Sequence, residues 1–369
     1  MKKGNGIFIT GGTGFLGIHI IKELLQNEKS VIYCLVRGKN LADAKESLRK
    51  KLMWYFSSEW EQMLSKIHVI CGDFTQDNLG LSREDYEQLT SEVSQVIHAG
   101  AIVKHFGKKE EYEKTNVNGT RKIVEFCRIS NAYLLYTSSV AVLSYTDNSE
   151  KEWSYQNEEH VDLYVKSKIE SEKIIQEAVE NGLKASIIRI GALSGRYSDG
   201  TLQENIDENA VNARIKTMVV SGKLPSRFLD SNVELLPVDI CSEMIVFIAR
   251  SRKEGYFCIY NNNTVTYQQL IDLLIQLGYH VETFDYKDYI SFYKDVRNDS
   301  LNKALLTGFF LHYRRRRNNQ KTKKKFQCEV TEKYLRENNL EYPHITTEYV
   351  AKILQYMKKI EYIEVEKEG

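Results

Sequence analysis

A tyrosine and a lysine near the middle of the chain have the spacing of an acid–base pair. Tyr164 and Lys168 lie four residues apart in a segment with helical periodicity, so their side chains share one face of the helix. Of the 23 tyrosines in the chain, only Tyr164 has a lysine at the fourth position after it. An ammonium beside a phenol lowers the phenol pKa, which predicts that Tyr164 exchanges a proton with a substrate oxygen near neutral pH. The alternative is a surface helix that carries this pair by chance.

A hydroxyl that could complete such a site ends the preceding predicted strand. This strand begins at Tyr133 and ends in Thr137, Ser138 and Ser139, and the carboxyl ends of parallel strands face the ligand crevice. Ser139 is the first choice for a group that binds a carbonyl oxygen and stabilises the charge that develops there, and Ser138 is the second. The alternative is a serine-rich turn without a chemical role.

A glycine-rich turn near the start of the chain predicts a dinucleotide site. Gly11, Gly14 and Gly17 stand between an apolar strand and an amphipathic helix, which is the context in which such glycines bind a pyrophosphate. Gly11 permits the tight turn, Gly14 lets the backbone approach the phosphates, and Gly17 lets the helix pack against the strand. The helix N-terminus directs its unpaired amides at the anion. The alternative is an ordinary turn before a helix.

The residues after the second and third predicted strands favour NADPH as the cofactor. Arg37 occupies the position at which an acid would bind the ribose hydroxyl of NAD, and Lys39 adds a second positive charge. Arginine binds phosphate oxygens through a planar fork, so we expect Arg37 to contact the 2′-phosphate; the alternative is a solvated arginine. Asp73 either accepts from the adenine amino group or caps the next turn, and both interpretations remain open.

These residues are spread along an alternation of strands and helices. Apolar segments alternate with charged amphipathic ones, which predicts βαβ units and a parallel sheet with both faces covered. The predicted strands are 30–36, 67–72, 93–98, 133–137 and 185–189. We therefore predict an α/β fold with a doubly wound Rossmann-type sheet in residues 1–240. A smaller C-terminal α/β lobe on the substrate side is predicted in residues 241–369, partly interleaved with the first domain.

The composition argues against several classes of function. The net charge of the 369 residues is +1, so no overall field favours nucleic acid or a membrane surface. The apolar stretches are too short to span a bilayer, and the first residues lack the pattern of a signal peptide. The six cysteines show neither a C-x-x-C pair nor metal-ligand spacing. We expect them to be reduced, mostly buried thiols in a cytoplasmic protein.

Together these motifs resemble those of the extended short-chain dehydrogenase/reductases. More narrowly, the chain resembles the terminal thioester reductase domains of nonribosomal peptide synthetases and the related reductase of aminoadipate synthesis, over nearly its full length. The narrower marks are the stretches 35–37, 72–74, 79–82, 98–107, 116–120, 195–200 and 237–239, with Gln203 and Asn205. Ser139 departs from the threonine that many such reductases have, and Ile190 replaces a common proline before Gly191.

The resemblance implies a role for each matching residue. Tyr164 is the implied proton donor, Ser139 its partner on the carbonyl oxygen, and Lys168 the residue that holds the nicotinamide ribose and tunes Tyr164. Arg37 is implied at the 2′-phosphate and Asp73 at the adenine. Asn116 is interpreted as a structural hydrogen-bonding residue. The other implied cofactor contacts are Gly11, Thr13, Gly14, Phe15, Leu16 and Gly17 around the pyrophosphate, and His98 and Ala99 after the fourth strand.

The activity implied by the resemblance is NADPH-dependent reduction of an acyl or peptidyl thioester on the phosphopantetheine arm of a carrier protein. The product is an aldehyde, which a second hydride would convert to an alcohol. Two alternatives remain open: another extended short-chain dehydrogenase, such as a sugar-nucleotide epimerase or a ketone reductase, and a non-catalytic NADP sensor. The joint presence of Ser139, Tyr164 and Lys168 disfavours the sensor.

One charged segment has no place in this scheme. Residues 312–327 contain eight lysines and arginines and no acid. The segment is either a solvated loop or a docking surface for an acidic carrier protein, whose approach its charge would steer.

Overall fold

The computed structural model describes residues 4–27, 30–103, 107–145, 162–285, 326 and 328–363. They form two compact units that alternate along the chain. The first unit comprises the segments Met1–Gly191, Cys241–Ile259 and Phe326–Leu340, and the second comprises Ala192–Ile240, Tyr260–Lys325 and Glu341–Gly369. The two units interleave around residue 240, because residues 192–240 belong to the second unit and residues 241–259 to the first.

The strands and helices are numbered in chain order. The strands are β1 (Gly6–Thr10), β2 (Ile32–Val36), β3 (Ile67–Cys71), β4 (Val93–His98), β5 (Tyr133–Ser139), β6 (Ala185–Ile190), β7 (Leu193–Ser194), β8 (Lys223–Pro225), β9 (Asn232–Val233), β10 (Leu236–Pro237), β11 (Gly255–Ile259), β12 (Val265–Thr266) and β13 (Glu282–Phe284). The helices are α1 (Phe15–Asn27), α2 (Leu41–Tyr55), α3 (Trp60–Ser65), α4 (Arg83–Glu92), α5 (Lys109–Tyr112), α6 (Gly119–Ser130), α7 (Leu163–Glu180), α8 (Ala210–Ser221), α9 (Val238–Ser251), α10 (Tyr267–Gln276), α11 (Glu329–Arg336) and α12 (Thr347–Lys359). A π-helical segment, Glu113–Asn118, joins α5 to α6.

A seven-stranded sheet in the order β11-β6-β5-β4-β1-β2-β3 forms the centre of the first unit. All of its neighbouring strands are parallel. The strand order reverses at β1, which pairs with both β2 and β4, and in such sheets ligands bind at the carboxyl ends of the strands beside this reversal. The predicted doubly wound α/β fold is confirmed.

Apolar packing fixes the strands and helices that carry the candidate site. On one face of the sheet, Phe8 of β1 packs on Phe126 of α6 with 5.1 Å between ring centroids, and both side chains are fully buried. Ile175 of α7 joins the same core. Since α7 carries Tyr164 and Lys168, this packing holds the helix of the predicted acid–base pair against the sheet.

The second unit has a separate core. Helices α8, α10 and α12 contribute buried side chains such as Ile215, Leu270 and Ile353 to one apolar cluster. Three two-stranded sheets accompany them, formed by β7 with β10, β9 with β12, and β8 with β13.

One cysteine pair contradicts the expectation of reduced thiols. Cys258 of β11 and Cys328, which precedes α11, form a disulfide with their Cα atoms 5.3 Å apart. Because 70 residues separate the two cysteines in the sequence, no local pattern indicates that they are close. Cys34, Cys71, Cys127 and Cys241 are not disulfide-bonded. No helix within the described ranges is long and apolar enough to cross a bilayer.

Candidate active site

The structure brings Ser139 and Tyr164 together. Helix α7 begins after Asp162, whose carboxylate accepts hydrogen bonds from the amides of Tyr164 (3.0 Å) and Val165 (3.4 Å) and so caps the helix. Tyr164 therefore lies in the first turn of α7, where its side chain interacts with that of Ser139 at the end of β5. The Ser139 hydroxyl also accepts from the Ala141 amide (3.2 Å). The two hydroxyls form a pair at the carboxyl edge of the sheet.

Lys168 lies one helical turn after Tyr164, and its side chain is only 3% exposed. Its ammonium donates to the carbonyl of Thr137 at 2.8 Å and to the hydroxyl of Tyr136 at 3.3 Å. It also lies 4.8 Å from the centroid of the Tyr136 ring, within the range of a cation–π interaction. Burial lowers the pKa of Lys168 to about 7, and the nearby Glu172 carboxylate opposes this shift.

The predicted effect of Lys168 on the Tyr164 pKa is not observed. Burial raises the pKa of Tyr164 to about 12, and the hydrogen bond from Ser139 only partly opposes it. The prediction fails because it considered the charge of the lysine and not the burial of the phenol, and because the Lys168 ammonium donates to Tyr136 and Thr137. A Tyr164 that stays protonated at neutral pH can still act as a proton donor.

Ser138, the second choice for the hydroxyl, has a different role. Its side chain is buried and donates to the carboxylate of Glu172 on α7. Glu172 also accepts from the guanidinium of Arg189 on β6, with 2.8 Å between Nη2 and Oε2. This buried network ties α7 to two neighbouring strands.

The glycine turn has the shape of a phosphate cradle. Gly11 has a φ of +75°, and a Cβ there would lie 2.5 Å from the Gly100 amide nitrogen. A Cβ on Gly17 would lie 2.1 Å from the Gly11 carbonyl oxygen, whereas one on Gly14 would lie 3.2 Å from that atom. The turn is closed by a hydrogen bond from the Gly14 amide to the Gly11 carbonyl (2.9 Å), and α1 begins at the next residue, Phe15. The first amides of α1 have no acceptor within the helix, so the segment from Gly11 through Thr13, Leu16 and Gly17 fits an anion such as a pyrophosphate.

The other predicted cofactor residues lie at the carboxyl ends of neighbouring strands. Arg37 and Lys39 follow β2 and are exposed, immediately before Asn40 caps α2 by accepting from the Asp43 amide (2.9 Å). Asp73 follows β3, and one of its oxygens accepts from the Thr75 amide at 2.9 Å. Asp73 therefore caps the turn, which is one of the two interpretations that the sequence left open.

His98 occupies a buried position at the end of β4. It is 1% exposed, its Nδ1 lies 2.6 Å from the Thr10 hydroxyl, and its ring meets Phe74 edge-on. Burial, with a smaller contribution from Lys168, lowers the pKa of His98 to about 3, so the ring is neutral. Ala99 is partly exposed and its amide donates to the Thr10 carbonyl at 3.2 Å. Of these two residues, Ala99 has the more accessible side chain.

Sequence reasoning missed Ser167 and Ser171, which join α7 to the π-helical segment through Asn116. Asn116 lies in the π-helical segment, and its side chain bonds both the amide and the carbonyl of Ile102 and the hydroxyl of Ser167. Its backbone carbonyl accepts from the hydroxyls of Thr120 (2.6 Å) and Ser171 (2.9 Å). The sequence contained a signal for these contacts, because Ser167, Lys168 and Ser171 place polar groups on the buried face of α7. Asn116 thus keeps the structural role predicted for it.

Comparison with known proteins identifies the family. An NAD-binding family model described as male sterility protein matches residues 9–245. The chain belongs to this family. Its architecture places it among the extended short-chain dehydrogenase/reductases of the terminal reductase type, and its family supports a nicotinamide cofactor.

Among curated relatives, the chain is 26% identical to part of the linear gramicidin synthase of Brevibacillus parabrevis over 366 residues, which is 95% of this chain and 7% of that synthase polypeptide. This chain covers 22%, 24% and 29% of the lengths of three further curated relatives. Among solved structures, it is similar to the terminal R domain of the myxalamid PKS-NRPS pathway, with a TM-score of 0.85, 26% identity and coverage of 100% of this chain and 94% of that domain. It is also similar to a thiolation-reductase di-domain from an archaeal non-ribosomal peptide synthetase, with a TM-score of 0.83, 25% identity and coverage of 98% and 78%.

Proposed function

We propose that this protein uses NADPH to reduce an acyl or peptidyl thioester, carried by a carrier protein, to an aldehyde. The observation that carries the proposal is the pairing of the Ser139 and Tyr164 side chains, one helical turn from the buried Lys168. The similarity of nearly the whole chain to terminal reductase domains supports the same reaction.

The two hydroxyls would act on the thioester carbonyl oxygen. Ser139 and Tyr164 donate hydrogen bonds to this oxygen and stabilise the negative charge that develops on it during reduction. Tyr164 then transfers its proton to the oxygen, which its protonated state at neutral pH permits. The resulting hemithioacetal loses the thiol of the carrier arm and leaves an aldehyde.

Lys168 would hold the cofactor and not the substrate. Two of its N–H groups are used by Thr137 and Tyr136, and no other described residue accepts the third. This N–H is available to a ribose hydroxyl beside Tyr164. Bound NADPH supplies the hydride for the carbonyl carbon, and its pyrophosphate would lie on the turn formed by residues 11–17.

Two positive charges support NADPH over NADH. Arg37 and Lys39 are exposed at the end of β2, where a ribose 2′-phosphate binds in this type of fold. A guanidinium donates forked hydrogen bonds to phosphate and is poorly matched to a ribose diol. Asp73 remains a proposed contact of the adenine through the carboxylate oxygen that does not cap the turn.

A carrier protein with a phosphopantetheine arm is the proposed partner. The similarity to a thiolation-reductase di-domain supports this proposal, since the neighbouring domain in that protein is a thiolation domain. The basic segment 312–327, which the sequence leaves open as a solvated loop or a docking surface, lies outside the described residues except for Phe326.

The test compares one acyl group on three thiols. Purified protein and NADPH are incubated with the acyl group on N-acetylcysteamine, on coenzyme A and on a phosphopantetheinylated carrier protein, and the aldehyde is quantified after trapping with a hydroxylamine. We expect aldehyde from all three, with the highest kcat/KM for the carrier. Equal kcat/KM for coenzyme A and the carrier would contradict the proposed partner. Absence of aldehyde from all three, while NADPH binds, would contradict the proposed reaction.

A further inference from the structure

The hydrogen-bond partners of Tyr136 assign it a defined orientation. Tyr136 lies on β5 with 1% of its surface exposed, and its hydroxyl interacts with the hydroxyls of Thr120 and Ser171. Each of these two hydroxyls also bonds a backbone carbonyl of the π-helical segment, that of Asn116. A carbonyl can only accept, so the proton of Thr120 points toward Asn116, and the proton of Ser171 points toward Asn116 or toward the Ser167 carbonyl 2.8 Å away.

The proton of Tyr136 must then point toward Thr120 or Ser171. Its hydroxyl proton is the remaining donor in this group, and the oxygens of Thr120 and Ser171 are the acceptors that remain. The lone pairs of the Tyr136 oxygen are therefore left for the Lys168 ammonium, 3.3 Å away. Burial raises the pKa of Tyr136, so the phenol keeps this proton throughout the neutral range.

We propose that Tyr136 is a positioning residue that keeps Lys168 protonated and aims its third N–H at the cofactor site. The phenol oxygen and the ring face both interact more favourably with an ammonium than with a neutral amine. The Thr137 carbonyl fixes a second N–H at 2.8 Å. The catalytic consequence of this proposal rests on the proposed function. The protonation of Lys168 does not.

Other charged or titratable groups also surround Lys168. On its own helix lie Tyr164 and Glu172, and the Glu172 carboxylate raises the pKa of Lys168. His98 on β4 is neutral, and Arg189 on β6 is paired with Glu172. These groups are unchanged when the Tyr136 hydroxyl is removed, so the effect of Tyr136 can be measured separately.

The test uses two buried tyrosines of the same strand. Tyr136→Phe removes the hydroxyl next to Lys168 and keeps the ring. Tyr133→Phe is the matched control, because Tyr133 is also buried on β5 but its hydroxyl lies 2.7 Å from that of Ser186 and 3.0 Å from the backbone carbonyl of Lys253. The pKa of Lys168 is followed by NMR of lysine labelled with carbon-13 at Cε, with the resonance assigned through Lys168→Met.

We expect Tyr136→Phe to lower the pKa of Lys168 by about one unit, a tenfold change in its acid dissociation constant, and Tyr133→Phe to leave it unchanged. The alkaline limb of kcat/KM should move to lower pH by the same amount, since activity requires the ammonium. An unchanged pKa in Tyr136→Phe, or an equal shift in both variants, would overturn the proposal. If the protein does not reduce thioesters at all, the NMR result still decides the role of Tyr136.

A second variant applies if Tyr136→Phe does not fold. Thr120→Val combined with Ser171→Ala keeps Tyr136 but removes both acceptors of its proton, so the phenol proton turns toward Lys168. We expect the pKa of Lys168 to fall here too. No change in this variant would overturn the proposed orientation of the phenol.

Discussion

Glu172 of α7 and Arg189 of β6 form an ion pair in the interior of the first unit, with side chains that are 0% and 2% exposed. Arg189 donates through Nη2 at 2.8 Å and through Nε to both carboxylate oxygens at 3.2 and 3.3 Å. Ser138 donates to the same carboxylate. Because α7 also carries Tyr164 and Lys168, this pair couples the position of the proposed catalytic residues to the sheet.

Removing one partner of this pair should strongly destabilise the fold. Arg189→Leu leaves the Glu172 carboxylate buried without its guanidinium, and we expect the free energy of unfolding to fall by about 3 to 5 kcal/mol. Urea unfolding followed by circular dichroism measures this change. Arg83→Leu is the control, because Arg83 pairs with Glu87 on the surface of α4, and its loss should leave stability nearly unchanged. Similar losses in both variants would contradict the structural role of the buried pair.

Tyr164→Phe should abolish turnover without abolishing cofactor binding. The variant keeps the ring but removes the proton donor, and loss of a general acid lowers kcat by about 100-fold to 10,000-fold. The consumption of NADPH with an N-acetylcysteamine thioester measures kcat, and quenching of protein fluorescence measures the affinity for NADPH. Tyr86→Phe, on α4 and away from the site, should behave as the wild type. Normal turnover by Tyr164→Phe would remove this residue from the reaction.

Arg37→Glu should shift the cofactor preference toward NADH. The substitution replaces a phosphate donor by a carboxylate that repels the 2′-phosphate and accepts from a ribose diol. We expect kcat/KM for NADPH to fall by about 10-fold to 100-fold, the equivalent of one charged hydrogen bond, while the value for NADH stays equal or rises. Lys39→Glu should show a smaller shift in the same direction. If the ratio for the two cofactors is unchanged in both variants, the 2′-phosphate is bound elsewhere.

The glycine turn predicts a graded response to added methyl groups. A Cβ on Gly17 would meet the Gly11 carbonyl oxygen at 2.1 Å, so Gly17→Ala must displace the turn from α1. A Cβ on Gly14 would stand 3.2 Å from the same atom and requires only a small shift. We therefore expect Gly17→Ala to have a lower melting temperature and weaker NADPH binding than Gly14→Ala. The reverse order for the melting temperature would contradict the observed geometry of the turn.

Local patterns in the sequence predict much of this fold and site. The strand and glycine pattern before α1 depends on neighbouring residues, and the spacing of Tyr164 and Lys168 follows from helical geometry alone. The doubly wound sheet follows from the alternation of apolar and amphipathic segments. These features need no knowledge of distant contacts.

The features that the sequence did not predict depend on distant contacts. The disulfide of Cys258 requires β11 to approach a residue 70 positions later. The pKa of Tyr164 depends on its burial, which no local pattern reports. The contact of Lys168 with Tyr136 joins α7 to β5. The π-helical segment 113–118 is also missed, because hydrophobic periodicity does not distinguish it from an α-helix.

The most direct test of the proposed reaction follows the hydride itself. NADPH carrying deuterium at the transferable position of the nicotinamide is mixed with the protein and a peptidyl thioester on its carrier, and the trapped aldehyde is examined by mass spectrometry. We predict an aldehyde with one deuterium on the carbonyl carbon, absent when Tyr164→Phe replaces the wild type. Free carboxylic acid as the product, or an aldehyde without deuterium, would contradict reduction by hydride transfer at this site.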